Sequence, residues 1–114
     1  MSTTPTETGT DFARRAGMFA ALGDETRLSL IGKLSRSRPQ SISRLAEGSS
    51  LTRQAVTKHL RVLESAGLVR SARSGREKQF ELRPEPLREL QSYLDRVSWQ
   101  WDEALNRLRS FVER

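Results

Sequence analysis

A chain of 114 residues fits one domain of ordinary size and leaves no room for a separate catalytic domain. Cysteine is absent, which excludes a disulfide framework, a thiolate metal site and a redox thiol. The formal charge is +6, and nearly all of the excess lies between Thr52 and Arg83, where eight basic side chains stand against Glu64, Glu77 and Glu81. Such clustering suits a polyanion, because each phosphate neutralised by Lys or Arg releases condensed counterions. A solvated charged face has the same composition, so local structure has to decide between them.

The first ten residues, MSTTPTETGT, offer nothing that could offset the entropy of ordering, and residues 1–10 are expected to form a disordered tail. They lack the charged start and apolar run of a secretory signal. The longest uninterrupted apolar run, Met18 to Leu22, is far too short for a membrane span. A cytoplasmic protein with no membrane partner is the expectation, with residues 11–114 forming its folded domain.

From Asp11 to Leu22, Phe12, Ala16, Phe19 and Ala20 recur at helical spacing and predict a first amphipathic helix ended by Gly23. Asp24 is a good N-cap for a second, with Glu25 complementing the dipole in its first turn. Leu28, Ile31 and Leu34 are its expected buried stripe, flanked by Leu30, and the helix stops before Pro39. Ser41 can cap a short third helix that points Ile42, Leu45 and Ala46 inward and closes at Gly48. A turn anchored by Leu51 follows, and Thr52 caps a fourth helix running to about Ala66.

That fourth helix has two faces. Val56, Leu60 and Leu63, with Ala55 and Val62 beside them, form the apolar stripe. Gln54, Thr57, Lys58 and Arg61, with Arg53 at the N-terminus, form a polar stripe that contains no acid. Guanidinium forks, an amide and a hydroxyl are the groups that read base edges and phosphates in a major groove. A short helix, a tight turn and a second helix of this kind make a helix-turn-helix. A solvated helix in a bundle would also show two faces, and the next segment favours the first reading. Leu68 to Leu82 places Val69, Phe80 and Leu82 at alternating positions around a central Ser74-Gly75, which predicts a hairpin. Its tip carries Arg73, Arg76 and Lys78, within reach of backbone phosphates or an adjacent minor groove. The predicted fold is mainly α with a small β-hairpin wing: a winged helix-turn-helix with a long terminal dimerisation helix.

The segments ALGDETRLSLIGKL, LAEGSSLTRQAVTKHLRVLESAGLV and SGREKQFEL resemble the ArsR/SmtB family of bacterial winged-helix repressors over roughly Asp11 to Leu82. The resemblance implies a homodimer that represses transcription by binding a double-stranded DNA operator and is released by a signal. It assigns Thr52, Arg53, Gln54, Thr57, Lys58 and Arg61 to the recognition helix. The chain departs from the family pattern at Ser50, where glycine is frequent, and at Lys78 and Gln79, where apolar or aromatic residues are common. Metal-sensing members use cysteines or sets of His, Asp and Glu. Here the only histidine is His59, with no partner ligand within one turn, and Asp102 and Glu103 are adjacent and project differently. His59 is therefore expected to be structural or close to DNA, and neither a metal nor a cofactor is expected.

After Pro84 and Pro86, which suit a helix start, Leu87, Leu90, Leu94, Val97, Trp101, Ala104, Leu108 and Phe111 step alternately by three and four. These are a and d positions of successive heptads, widened by Leu105 and Val112. Part of this stripe is expected to pack within its own chain. The rest predicts a subunit interface that also involves Phe12 and Phe19 of the first helix. Trp99 falls at an f position, either against the partner's first helix or beside Trp101 at a small-molecule pocket; aromatic enrichment at interfaces favours the former. A winged-helix module for RNA or protein is the alternative function, separable by an operator footprint. An enzyme is disfavoured, because no nucleophile-base set and no phosphate-binding glycine loop is present. The sequence assigns no small-molecule effector.

Overall fold

The computed structural model describes residues 9–36 and 38–113. Five helices and three short strands follow in the order α1 (Gly9–Leu22), α2 (Glu25–Ser35), β1 (Gln40–Ser41), α3 (Ile42–Ala46), α4 (Arg53–Ser65), β2 (Val69–Ser74), β3 (Glu77–Leu82) and α5 (Pro84–Val112). The chain divides between Arg83 and Pro84 into two compact bodies. Of the tail expected over residues 1–10, residues 1–8 lie outside the described residues, while Gly9 and Thr10 form the first turn of α1.

Local chemistry sets the helix boundaries. Asp24, Ser41 and Thr52 each accept a hydrogen bond from the backbone N–H three residues on, at Arg27 (3.0 Å), Arg44 (3.2 Å) and Ala55 (3.0 Å). Each cap satisfies one of the donors that a helix start leaves without a partner. At the other end of α4, Gly67 donates to the Glu64 carbonyl and Leu68 to the Leu63 carbonyl. This paired closure is a Schellman motif, and it needs the left-handed φ of +82° that Gly67 adopts. Leu63 and Leu68, at its two ends, are both fully buried.

The core of the first body joins Met18 and Ala21 of α1, Leu30, Ile31 and Leu34 of α2, Leu45 of α3, Val56, Leu60 and Leu63 of α4, and Val69 and Phe80 of the hairpin. Burying a side chain such as Leu60 contributes about 1.5–3 kcal/mol relative to leaving it exposed. Strands β2 and β3 pair antiparallel from Val69↔Leu82 to Ser74↔Glu77, leaving Gly75 and Arg76 as a two-residue loop. Gly75 has φ +65° and no described non-glycine residue has positive φ, so the loop has the signature of a type II′ turn. The loop is one residue later than the Ser74-Gly75 centre expected from sequence. The sheet order is β1-β3-β2, with Gln40 opposite Phe80 and Ser41 opposite Gln79. Phe80 thus sits on the central strand and is buried.

Several expected faces are corrected. In α2 the buried line is Leu30, Ile31 and Leu34, whereas Leu28 is 56% exposed. At about 100° per residue, Arg27, Leu30, Ile31 and Leu34 share one arc and Leu28 lies outside it. In α1, Arg15, Met18 and Ala21 face inward; Phe12, Ala16 and Ala20 are exposed and Phe19 is half-buried. This helix has two apolar sides, and the core uses the one centred on Met18. Arg15 is buried with its guanidinium 5.3 Å from the centre of the Phe12 ring. Val62 of α4 is exposed and Ile42 of α3 is only half-buried, so neither belongs to the core.

Helix α5 starts with Pro84 and Pro86 in its first turn, where a missing N–H costs nothing. Over 29 residues its buried residue is Leu90. Among the described residues, no helix is long and apolar enough to cross a membrane.

Candidate nucleic-acid interface

Helix α4 is held from behind by Val56, Leu60 and Leu63, all fully buried, which turns the opposite face outward. Arg53, Gln54, Lys58 and Arg61 are exposed on that face. Among the described residues, none of the three cations on it forms an ion pair, so their charge remains available. Together with Thr57 and Ile42 they line an open depression of about 540 Å³. Thr57 is half-buried, and its hydroxyl donates to the Arg53 carbonyl at 2.7 Å. Its proton is therefore engaged by the helix itself, a local bond typical of Thr within helices.

The wing continues the basic surface. Arg76 occupies the exposed loop, and Arg73 reaches its carbonyl at 3.5 Å. The Lys78 ammonium lies 5.6 Å from the centre of the Phe80 ring, a cation–π arrangement. Two of the three acids in the basic stretch are engaged. Glu81 accepts from Arg70 at 2.6 Å across the β2–β3 pair, and Glu64 accepts from the Ser71 hydroxyl at 2.9 Å. Arg70 is thereby committed to the wing's own structure, and Arg73, Arg76 and Lys78 form its outward charge.

A family model described as a helix-turn-helix domain matches residues 22–72, covering α2 through most of β2. An uncharacterised HTH-type transcriptional regulator of Bacillus subtilis, YuzN, is 40% identical over 79 residues, which cover 64% of this chain and 86% of the relative. The solved structure of an ArsR-like transcriptional regulator from a Rhodococcus species is 38% identical, with a TM-score of 0.78 over 91% of this chain and 96% of that one. This chain belongs to the ArsR family of transcriptional regulators. The fold is also shared, at 19% identity and a TM-score of 0.65 over 92% of this chain and 94% of the other, by a homodimeric winged helix-turn-helix DNA-binding domain from Mycobacterium bovis. Helix α4 and the wing accordingly belong to the winged helix-turn-helix domain of an ArsR-family regulator.

In this ArsR-family regulator His59 does not join the outward face. Its Nδ1 lies 3.3 Å from the Arg27 guanidinium and 3.8 Å from the Asp24 carboxylate. Arg27 also donates to the Ala21 carbonyl at 2.6 Å. The backbone N–H of Arg27, with the nearby positive charge, holds the Asp24 carboxyl below its ordinary value of 3.8. The LGDETRL and VTKHL segments thus meet in space as a brace between the start of α2 and the middle of α4. Among the described residues no group of three or more His, Cys, Asp and Glu side chains could hold a metal ion.

The residues expected at a subunit interface divide by exposure. Leu94, Trp101 and Phe111 are 51%, 62% and 70% exposed, and Phe12 and Leu108 are also open. Phe19, Leu87 and Val97 are half-buried. Leu90 is buried and offers no free surface. Sequence reasoning missed Ile42 as a member of the outward face, because its short helix signalled only an inward position.

Proposed function

We propose that this regulator acts in the cytoplasm as a homodimer that represses transcription by occupying an inverted-repeat operator in double-stranded DNA. The observation that carries the reading is the exposed, acid-free face of α4, with Arg53, Gln54, Lys58 and Arg61 free of internal ion pairs. It combines long-range attraction to phosphate with groups able to read base edges. The wing cations extend the contact to the flanking backbone. Self-association is supported by the row of large apolar side chains left open on α5, since contiguous exposed apolar surface marks an interaction site. The homodimeric assembly of the Mycobacterium bovis neighbour points the same way.

A two-fold dimer presents two recognition helices, so half-site centres should lie about 10 bp apart or a multiple of that spacing. Footprinting of the DNA upstream of its own gene tests this. Two symmetric protected half-sites are expected, and an asymmetric single site would contradict the dimer. A reporter driven by that DNA should rise when the protein is absent; a fall would make it an activator.

A further inference from the structure

We propose that the recognition face carries a thymine-reading site, in which Ile42 and the Thr57 γ-methyl receive the C5-methyl group of a thymine in the major groove. This rests on the DNA-binding reading above and names what that surface discriminates. The depression on the face of α4 has two kinds of lining. Arg53, Gln54, Lys58 and Arg61 are polar and exposed, whereas Ile42 and Thr57 are half-buried and each carries a methyl group. Thr57 makes its apolar contribution because its hydroxyl is turned back onto the Arg53 carbonyl at 2.7 Å. The γ-methyl sits on a different staggered position of the same carbon, so it is not spent on that bond.

Two half-buried side chains carrying methyl groups, beside three cations and an amide, suit an apolar group set on a polar base edge. The thymine methyl is the apolar group that unmodified base pairs display in the major groove, while every other edge presents a donor or acceptor. A phosphate would gain nothing from Ile42 and would sit better on the exposed cations. Gln54, exposed in the same lining, has the amide geometry to take the N6 and N7 edge of an adjacent adenine. Ile42 comes from α3, positioned by the Ser41 cap, so the first helix of the motif contributes to base choice as well as to support.

The test replaces thymines by deoxyuridine one at a time in the footprinted operator, which removes a single methyl and leaves Watson–Crick pairing intact. Wild-type protein should bind about fourfold more weakly at one thymine position per half-site, and about fifteenfold when both half-sites are changed. Thr57→Ser keeps the back-bonded hydroxyl and removes the protein's methyl. It should bind the normal operator more weakly and lose the preference for thymine at that same position. Specific binding that tolerates uridine at every position overturns the methyl site and leaves the DNA reading standing. A Thr57→Ser variant with the full wild-type preference also overturns it. Absence of any specific DNA binding by the wild type would instead overturn the parent reading.

Discussion

Helix α4 and helix α5 are both amphipathic, yet they resolve their apolar faces in opposite ways. Val56, Leu60 and Leu63 of α4 are completely buried within the first body. Along α5, Leu94, Trp101, Leu105, Leu108 and Phe111 are all more than half exposed. Periodicity states that a face requires cover; it does not state which chain supplies the cover. In α4 the polar face is the candidate contact surface and the apolar face is structural. In α5 the apolar face is itself the candidate contact surface.

The sharpest way to break this comparison is to place a charge on each kind of apolar surface in turn. Leu94→Glu puts a carboxylate into the proposed dimer seam twice, at about several kcal/mol for each unpaired buried ion. The dimer should dissociate while the first body keeps its helical signal. DNA binding should fall far more than one contact predicts, because a monomer forfeits the effective concentration of its second half-site. Light scattering and an operator titration on one sample check this, and a variant that stays dimeric would move the seam elsewhere. Leu60→Ala should act on the other side of the comparison. It empties a fully buried position in α4 and should lower stability by about 2–5 kcal/mol in a denaturant titration. A loss near zero would mean that α4 is not locked by its inner face.

Within the basic surface the effects are smaller and differ in kind. Arg61→Ala should relax base preference, at about 1–3 kcal/mol if its fork contacts a guanine. Arg76→Ala should weaken binding to all sequences alike and flatten the salt dependence by about one unit of slope for each phosphate left unneutralised. Titrations of specific and random duplexes at several salt concentrations separate the two. Unchanged affinity and slope in the wing variant would show that the hairpin tip does not touch DNA. The smallest effect concerns the brace. The native Asp24 carboxyl binds its proton less tightly than the unfolded chain does, so its ionised form stabilises the fold. That stabilisation is present above the ordinary value of 3.8 and is lost as pH falls through the lower native value. Asp24→Asn keeps a capping oxygen without the charge. The melting temperature of the wild type should therefore fall more steeply than that of the variant below about pH 4. Parallel curves would remove Asp24 from the acid response.

The caps at Asp24, Ser41 and Thr52 were legible in the sequence because each is a local bond between residues three apart. So were the inner stripe of α4 and the hairpin, whose periods switch from 3.6 to 2 where Gly67 ends the helix. What escaped was decided at a distance. Strand β1 is two polar residues with no pattern of their own, and it exists because β3 offers a free edge opposite Gln40 and Ser41. Leu28 and Leu30 are equally apolar, and only the packing of α2 on its neighbours chooses between them. Of the site, the identities of the exposed cations were readable. The turning back of the Thr57 hydroxyl and the outward place of Ile42 were not, because each depends on side-chain geometry that spacing does not encode.

His59 faces Arg27 and Asp24, while Gln54, Lys58 and Arg61 point the other way along the same helix. The residues that fasten the helix are therefore distinct from the outermost residues that would choose its target. Among the described residues no side-chain hydrogen bond ties Gln54, Lys58 or Arg61 to the fold, and exposed substitutions of that kind usually change stability by about half a kcal/mol or less. An inherited copy of this gene could acquire a new binding preference by drift at those positions without first gaining spare stability.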